Sequence, residues 1–156
     1  MTVLPDHNGL QHRITHWLRV SMQKLDARVM VLMAHHPGVS LGLSNLAARG
    51  HLSAAHVHIT RHLPAEGMRL TDLAAKAGMT KQAMGALVTQ CEAWGMVVRA
   101  ADPGDARARC VQFTEIGLSW LSAYHDAVMQ SEKELRDAVG TDVATVIALG
   151  LEAYCA

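Results

Sequence analysis

The sequence predicts a mainly helical domain carrying one small β-hairpin. Three observations point that way. Apolar residues recur every three or four positions through two long stretches, 9–34 and 115–139. Between them lie two short helical segments joined by a glycine-containing turn, at 72–77 and 81–94. After Gly95 the pattern changes from helical to β-like, on either side of the turn-forming run Ala101-Asp102-Pro103-Gly104-Asp105.

The first helix is carried by Leu10, Ile14, Trp17, Leu18, Leu25, Val29 and Leu32, spaced as an amphipathic stripe. His35-His36-Pro37-Gly38 ends it, because proline cannot continue a helix and disfavours helix in the residue before it. A short helix over 41–49 closes at Gly50. Ser53 then serves as an N-cap for a helix with His56, Ile59 and Leu63 on one face, broken by Pro64 and Gly67. Thr71 caps the 72–77 segment, and Gly78 supplies a left-handed C-terminal turn. Thr80 caps the next helix, with Leu70, Leu73, Ala74, Ala77, Met79, Ala83, Leu87 and Val88 as the buried stripe. Met96-Val97-Val98 and Cys110-Val111-Gln112-Phe113 form the hairpin strands. Thr114 and Glu115 start a long helix on which Leu118, Leu121, His125, Val128, Glu132, Leu135 and Val139 alternate spacings of three and four. That is a heptad seam, the pattern of a helix lying along a partner helix. Gly140 breaks it, Thr141 or Asp142 recaps, and Val143, Val146, Ile147 and Tyr154 mark a last helix.

Composition narrows the function classes. With 156 residues the chain has the size of one domain and can bury a substantial core. Aromatic residues make up only 4%, so Leu, Val, Ala and the nine Met must fill the interior. No apolar run reaches the roughly 18–20 residues a membrane span requires, and the N-terminus MTVLPDHNGL lacks the features of a signal peptide. The expectation is therefore a cytoplasmic protein without membrane partners. Cys91, Cys110 and Cys155 are odd in number and show no CxxC spacing, which suits a reducing compartment. The formal net charge of zero hides an asymmetry: residues 1–68 carry six Lys/Arg against three Asp/Glu, residues 69–110 six against four, and residues 111–156 two against seven. A polyanion would sit on the first two thirds.

Helix-turn-helix, hairpin, long helix: that order resembles a winged helix-turn-helix. The wing stretch D-P-G-D-A-R-A-R-C-V-Q-F-T, Asp102 to Thr114, resembles that of the multiple antibiotic resistance regulator (MarR) family. So does its setting: the L-x-x-L-A helix, the G-M-T-K-Q start of the next one, E-A-W-G-M-V-V-R leading into the wing, and F-T-E-I-G after it. The resemblance covers residues 52–118 by motif and the whole chain by helix order. It implies a winged helix-turn-helix lobe over 52–113, with dimerisation helices over 9–50 and 114–156. It also implies a homodimer presenting two lobes to one DNA duplex, on a pseudopalindromic operator.

Under that resemblance the helix after Gly78 enters the major groove. Small Gly85 lets its backbone approach, while Gln82, Thr89 and Gln90 can donate and accept at base edges. Thr80 and Lys81 lie near the helix N-terminus, where backbone amides and the helix dipole favour phosphate. In the family the arginine matching Arg107 reaches the minor groove or nearby phosphates, and an acidic residue like Asp105 orients it. Arg99 and Arg109 are the remaining wing candidates. Many members have basic residues at the positions of Gly104 and Ala106, so this wing is expected to make fewer phosphate contacts and to show a shallow salt dependence.

The family also implies an effector pocket, often for a small aromatic acid, with His12, Arg13, His16, Trp17 and His56 as candidate lining. The i,i+4 pairs His12/His16 and His58/His62 have a spacing that can ligate zinc, but neither is accompanied by cysteine or clustered carboxylate. His56 sits in an apolar stripe and reads as a core histidine or a pocket group. The sequence has no G-x-S-x-G, no phosphate-binding glycine loop and no spaced catalytic acids. The expected function is a DNA-binding transcription regulator, a repressor released by a small molecule, without catalysis and without a cofactor. The alternatives are an interaction or effector-binding module that does not bind DNA, and a metal-responsive regulator.

Overall fold

A computed structural model describes residues 13–156 apart from 53–55, 57, 58, 60 and 103, and without the side chains of Ala106 and Arg107. Among the described residues the complete helices are α1 (Ile14–Ala34), α2 (Leu41–Ala48), α3 (Leu70–Lys76), α4 (Lys81–Ala93), α5 (Glu115–Val139) and α6 (Thr141–Cys155). The strands are β1 (Met68–Arg69), β2 (Val97–Asp102) and β3 (Asp105–Phe113), in one antiparallel sheet of order β1-β3-β2. His56, Ile59, Arg61 and His62 are also helical, while Ser53, the expected cap of that segment, lies outside the described residues. The fold is thus mainly α with a small β wing. No single helix among the described residues is long and apolar enough to cross a membrane.

The chain divides into two compact units, Met30–Ala127 and Met1–Val29 with Val128–Ala156. The unit Met30–Ala127 holds the helix-turn-helix and the sheet. Helix α2 is capped by Ser40, whose hydroxyl accepts from the Leu43 amide, and buries Leu43 and Ala47. Leu73 on α3 and Met84, Val88 and Cys91 on α4 are fully buried, each removal from water being worth roughly 1.5–3 kcal/mol for the larger side chains. Trp120, Ala123, Tyr124 and Ala127 of α5 close this core at helical spacing. The Tyr124 hydroxyl accepts a hydrogen bond from Arg61 Nε at 2.8 Å.

Helices α3 and α4 end alike. Gly78 (φ 65°) and Gly95 (φ 73°) take left-handed conformations. The Met79 amide then reaches back to the Ala74 carbonyl, and the Met96 amide to that of Cys91, both at 2.9 Å. These six-residue loops satisfy carbonyls at the helix ends, and they require the φ that glycine adopts without steric cost. Thr80 caps α4 as expected, its hydroxyl accepting from the Ala83 amide at 3.2 Å.

Three details differ from the sequence reading. Strand β1 was not expected: Met68 and Arg69 pair with Val111 and Cys110. It delivers the chain extended as far as Arg69, so α3 begins at Leu70 and Thr71 lies inside it rather than capping it. The hairpin is longer and tighter than expected, with Val97 to Ala101 in register against Phe113 to Arg109 and an irregularity at Asp102. On α4 the buried position is Met84, and Ala83 is exposed, one residue off the expected stripe.

In the other unit, Arg28 on α1 makes a two-pronged ion pair with Glu134 on α5, at 2.7 and 2.8 Å. That pairing, with help from Gln130, pulls the Glu134 carboxyl down to about 2. Helix α6 buries none of its residues; Val146, Leu149 and Tyr154 are largely exposed. Along α5 the heptad positions Leu118, Leu121, Val128, Leu135 and Val139 are partly or wholly exposed, because the chain's own core takes a different stripe of the helix.

Candidate nucleic-acid interface

Helix α4 presents a polar face. Lys81, Gln82, Thr89 and Gln90 are exposed, together with Ala83 and Ala86. Met84, Val88 and Cys91 on the opposite side hold the helix to the core, so the orientation of the exposed face is fixed by packing. A Cβ built on Gly85 would meet only Leu70 Cδ2, at an ordinary 3.7 Å. Packing against α3 therefore does not demand a glycine there.

Beside this face lies a cleft of about 300 Å³ between the helix-turn-helix and the sheet. Its walls include Leu70 and Val111, and its rim carries four cations: Arg69, Lys81, Arg99 and Arg109. Two of the four are neutralised from within. Arg69 Nε bonds Asp102 Oδ2 at 2.5 Å. Arg99 forms an ion pair with Glu92. Lys81 and Arg109 have no ion-pair partner among the described residues.

Asp102 organises the wing turn. One carboxylate oxygen takes Arg69, and the other accepts the Gly104 amide at 2.8 Å. These two bonds, Arg69 first, hold its carboxyl below the usual carboxylate range. Asp105, opposite Asp102 in the ladder, is exposed and engaged in an interaction of its own. Arg107 is placed in β3 by its backbone, while its side chain lies outside the described residues.

Arg99 and Thr89, read from sequence as DNA contacts, touch each other. Arg99 Nη2 donates to Thr89 Oγ1 at 3.0 Å, and Thr89 Oγ1 donates to the Gly85 carbonyl at 2.9 Å. Sequence reasoning overlooked Arg69 and Glu92. The signal for Glu92 was present in its spacing of seven from Arg99 across Gly95, the length of one helix end plus a turn.

Of the effector candidates, His12 lies outside the described residues. Arg13 is exposed just before α1, and the rings of His16 and Trp17 meet edge-on at 5.1 Å, with Trp17 56% exposed. His56 belongs to the unit Met30–Ala127, where it is buried and lies 4.7 Å from the Trp94 ring. Among the described residues no three His, Cys, Asp or Glu side chains gather as metal ligands would; His12 and His58 are not described. Cys91 and Cys110 are buried, and burial pushes the Cys91 thiol up to about 12.

Comparison with known proteins agrees with this fold. A model of the MarR family matches residues 57–108. The transcriptional repressor CouR bound to a 23-mer DNA duplex superposes with a TM-score of 0.66, at 16% identity over 98% of this chain and 99% of that one. CouR from Rhodococcus jostii RHA1 bound to p-coumaroyl-CoA gives 0.66, at 19% identity over 93% of both. A cysteine-to-serine mutant of MarR from E. coli gives 0.67, at 16% identity over 92% of this chain and 97% of that one. No curated protein matches the chain by sequence.

Proposed function

We propose that this chain, which carries a MarR-family winged helix-turn-helix, is a dimeric, sequence-specific repressor of transcription that a small molecule releases from DNA. It acts by binding, without catalysis. The observation that carries the reading is the basic cleft between the exposed polar face of α4 and the wing, where Lys81 and Arg109 have no ion-pair partner among the described residues. A polar helix face of a size to enter a major groove, flanked by cations that can meet phosphates, is what direct readout needs.

In this reading Gln82 and Gln90 meet base edges, and Thr80 and Lys81 hold phosphates at the α4 N-terminus. Gly85 keeps the helix surface low, and the wing follows the next groove with Arg107, Arg109 and Asp105. The dimer is supported by the exposed apolar Val146, Leu149 and Tyr154 of α6, and by the exposed heptad positions of α5. Two lobes so joined would read half-sites about one helical turn apart, 34–36 Å. The effector is read as a small aromatic acid. Arg13 and His16 offer a cation and a hydrogen-bond donor beside the exposed Trp17 indole, and the acid would favour a dimer whose lobes are misplaced for DNA.

A second reading, an interaction module that does not bind DNA, draws on the internal neutralisation of Arg69 and Arg99. A mobility-shift titration with the DNA upstream of the chain's own gene separates the two. A retarded complex resistant to unrelated competitor duplex supports the repressor; no shift at low salt removes it. Gln82→Ala is expected to change the preferred base at one operator position, at a cost of about 1–3 kcal/mol.

A further inference from the structure

We propose that Arg99 is a positioning residue: with Glu92 it braces the wing against α4, and so sets where the wing falls when that helix enters a groove. The proposal rests on the DNA-binding reading above and replaces the DNA contacts expected from sequence for Arg99 and Thr89.

The geometry around Arg99 is that of a two-ended clamp. Strand β2 lies at the sheet edge, and the Arg99 amide donates to Glu92 Oε1, at 3.2 Å. The Arg99 guanidinium donates to the other oxygen of the same carboxylate through Nη1. Its Nη2 reaches two further acceptors on α4, Thr89 Oγ1 at 3.0 Å and the Gly85 carbonyl at 3.4 Å. One side chain of β2 is thus tied to three residues of α4, and one carboxylate of α4 holds both the backbone and the side chain of β2. Charge-assisted bonds in a two-pronged arrangement fix direction as well as distance. An edge strand whose amide is capped by a carboxylate is also closed to further strand pairing.

The clamp consumes groups that would otherwise face DNA. The Thr89 hydroxyl gives its only proton to Gly85 and one of its two lone pairs to Arg99, so it has nothing left to donate to a base and a single lone pair to accept with. Arg99 spends its positive charge on Glu92. Bidentate base reading on α4, which needs a donor and an acceptor together, then falls to Gln82 and Gln90.

Electrostatics alone and the clamp make opposite predictions for Glu92. Removing a carboxylate beside a polyanion should tighten binding if only charge counts. If Glu92 positions the wing, its removal should weaken specific binding although the surface becomes more basic. The test uses the full chain with Glu92→Gln and Arg99→Lys, a retarded duplex from the upstream region, an unrelated duplex, and backbone amide exchange in the absence of DNA. Expected are a loss of roughly tenfold in specific affinity for both variants, an unchanged salt slope and unchanged binding to the unrelated duplex. Exchange at the Arg99 amide should accelerate in Glu92→Gln, with melting temperatures near that of the parent. Tighter specific binding by Glu92→Gln, or full activity in Arg99→Lys with a point charge alone, would overturn the proposal. So would a salt slope made shallower by Arg99→Ala, which marks a phosphate contact. If the parent chain binds no duplex at all, the DNA reading fails and the proposal with it. Accelerated exchange in Glu92→Gln would then establish only a wing brace of another purpose.

Discussion

The salt dependence of DNA binding follows from counting cations that are free to meet phosphate. Of the four on the cleft rim, Arg69 and Arg99 are held by Asp102 and Glu92, leaving Lys81 and Arg109. These two, or three with Arg107, assigned to the wing in the proposed complex, give two to three contacts per lobe and four to six for a dimer. Each neutralised phosphate contributes about −0.9 to the slope of log K against log salt, so the expected slope is about −4 to −5. Raising salt from 50 to 200 mM would then cost roughly 250- to 1000-fold in affinity. The assay is fluorescence anisotropy on a labelled duplex at five or more salt concentrations. Lys81→Gln should make the slope shallower by about 2, one contact in each lobe. A slope of about −7 or steeper, the mark of eight phosphates, would refute the count and show that Arg69 and Arg99 exchange their carboxylate partners for DNA.

Three further outcomes are expected. Gly117→Ala should destabilise the unit Met30–Ala127 by about 1–3 kcal/mol or more in urea unfolding, because its Cβ would fall 1.9 Å from the Met96 carbonyl oxygen, a backbone atom. For Glu134, paired with Arg28, the folded-state carboxyl lies below its ordinary 4.5, at about 2. Its contribution is therefore present above pH 4.5 and lost as pH falls from there toward 2; Glu134→Gln should abolish that part of the acid dependence of melting, and an unchanged acid limb would count against it. Finally, native alkylation at pH 8 followed by mass spectrometry should label exposed Cys155 and spare Cys91, which is buried and lacks thiolate, whereas denatured chain should label all three cysteines. Rapid native labelling of Cys91 would contradict its placement.

What the sequence determined by itself was whatever depends on neighbours in the chain. Gly78 and Gly95 end their helices because a left-handed residue is needed within a few positions of the last turn. Thr80 caps α4 because its hydroxyl reaches an amide three residues on. The wing could be found because Pro103, Gly104 and two aspartates mark a turn between β-forming runs. Of the candidate site, the polar residues of α4 and the arginines of the wing were legible as types in a known order.

Only the tertiary structure decided which of those groups is spent inside the protein. Strand β1 is two residues long and exists because β3, about forty residues later, supplies its partners, so no local pattern betrays it. Met84 rather than Ala83 turns inward because α3 and the sheet fix the rotation of α4, and propensity cannot set a rotation. The apolar positions of α5 divide between a stripe packed within the chain and one left exposed, and both read alike in sequence because both repeat every three to four residues. Arg69, Arg99 and Thr89 are as polar in sequence as Lys81 and Gln82. Folding brings Asp102 to Arg69 and sets Arg99 between Glu92 and Thr89, and hydrogen bonds made at that range separate the groups that hold the lobe's shape from those left to meet a partner.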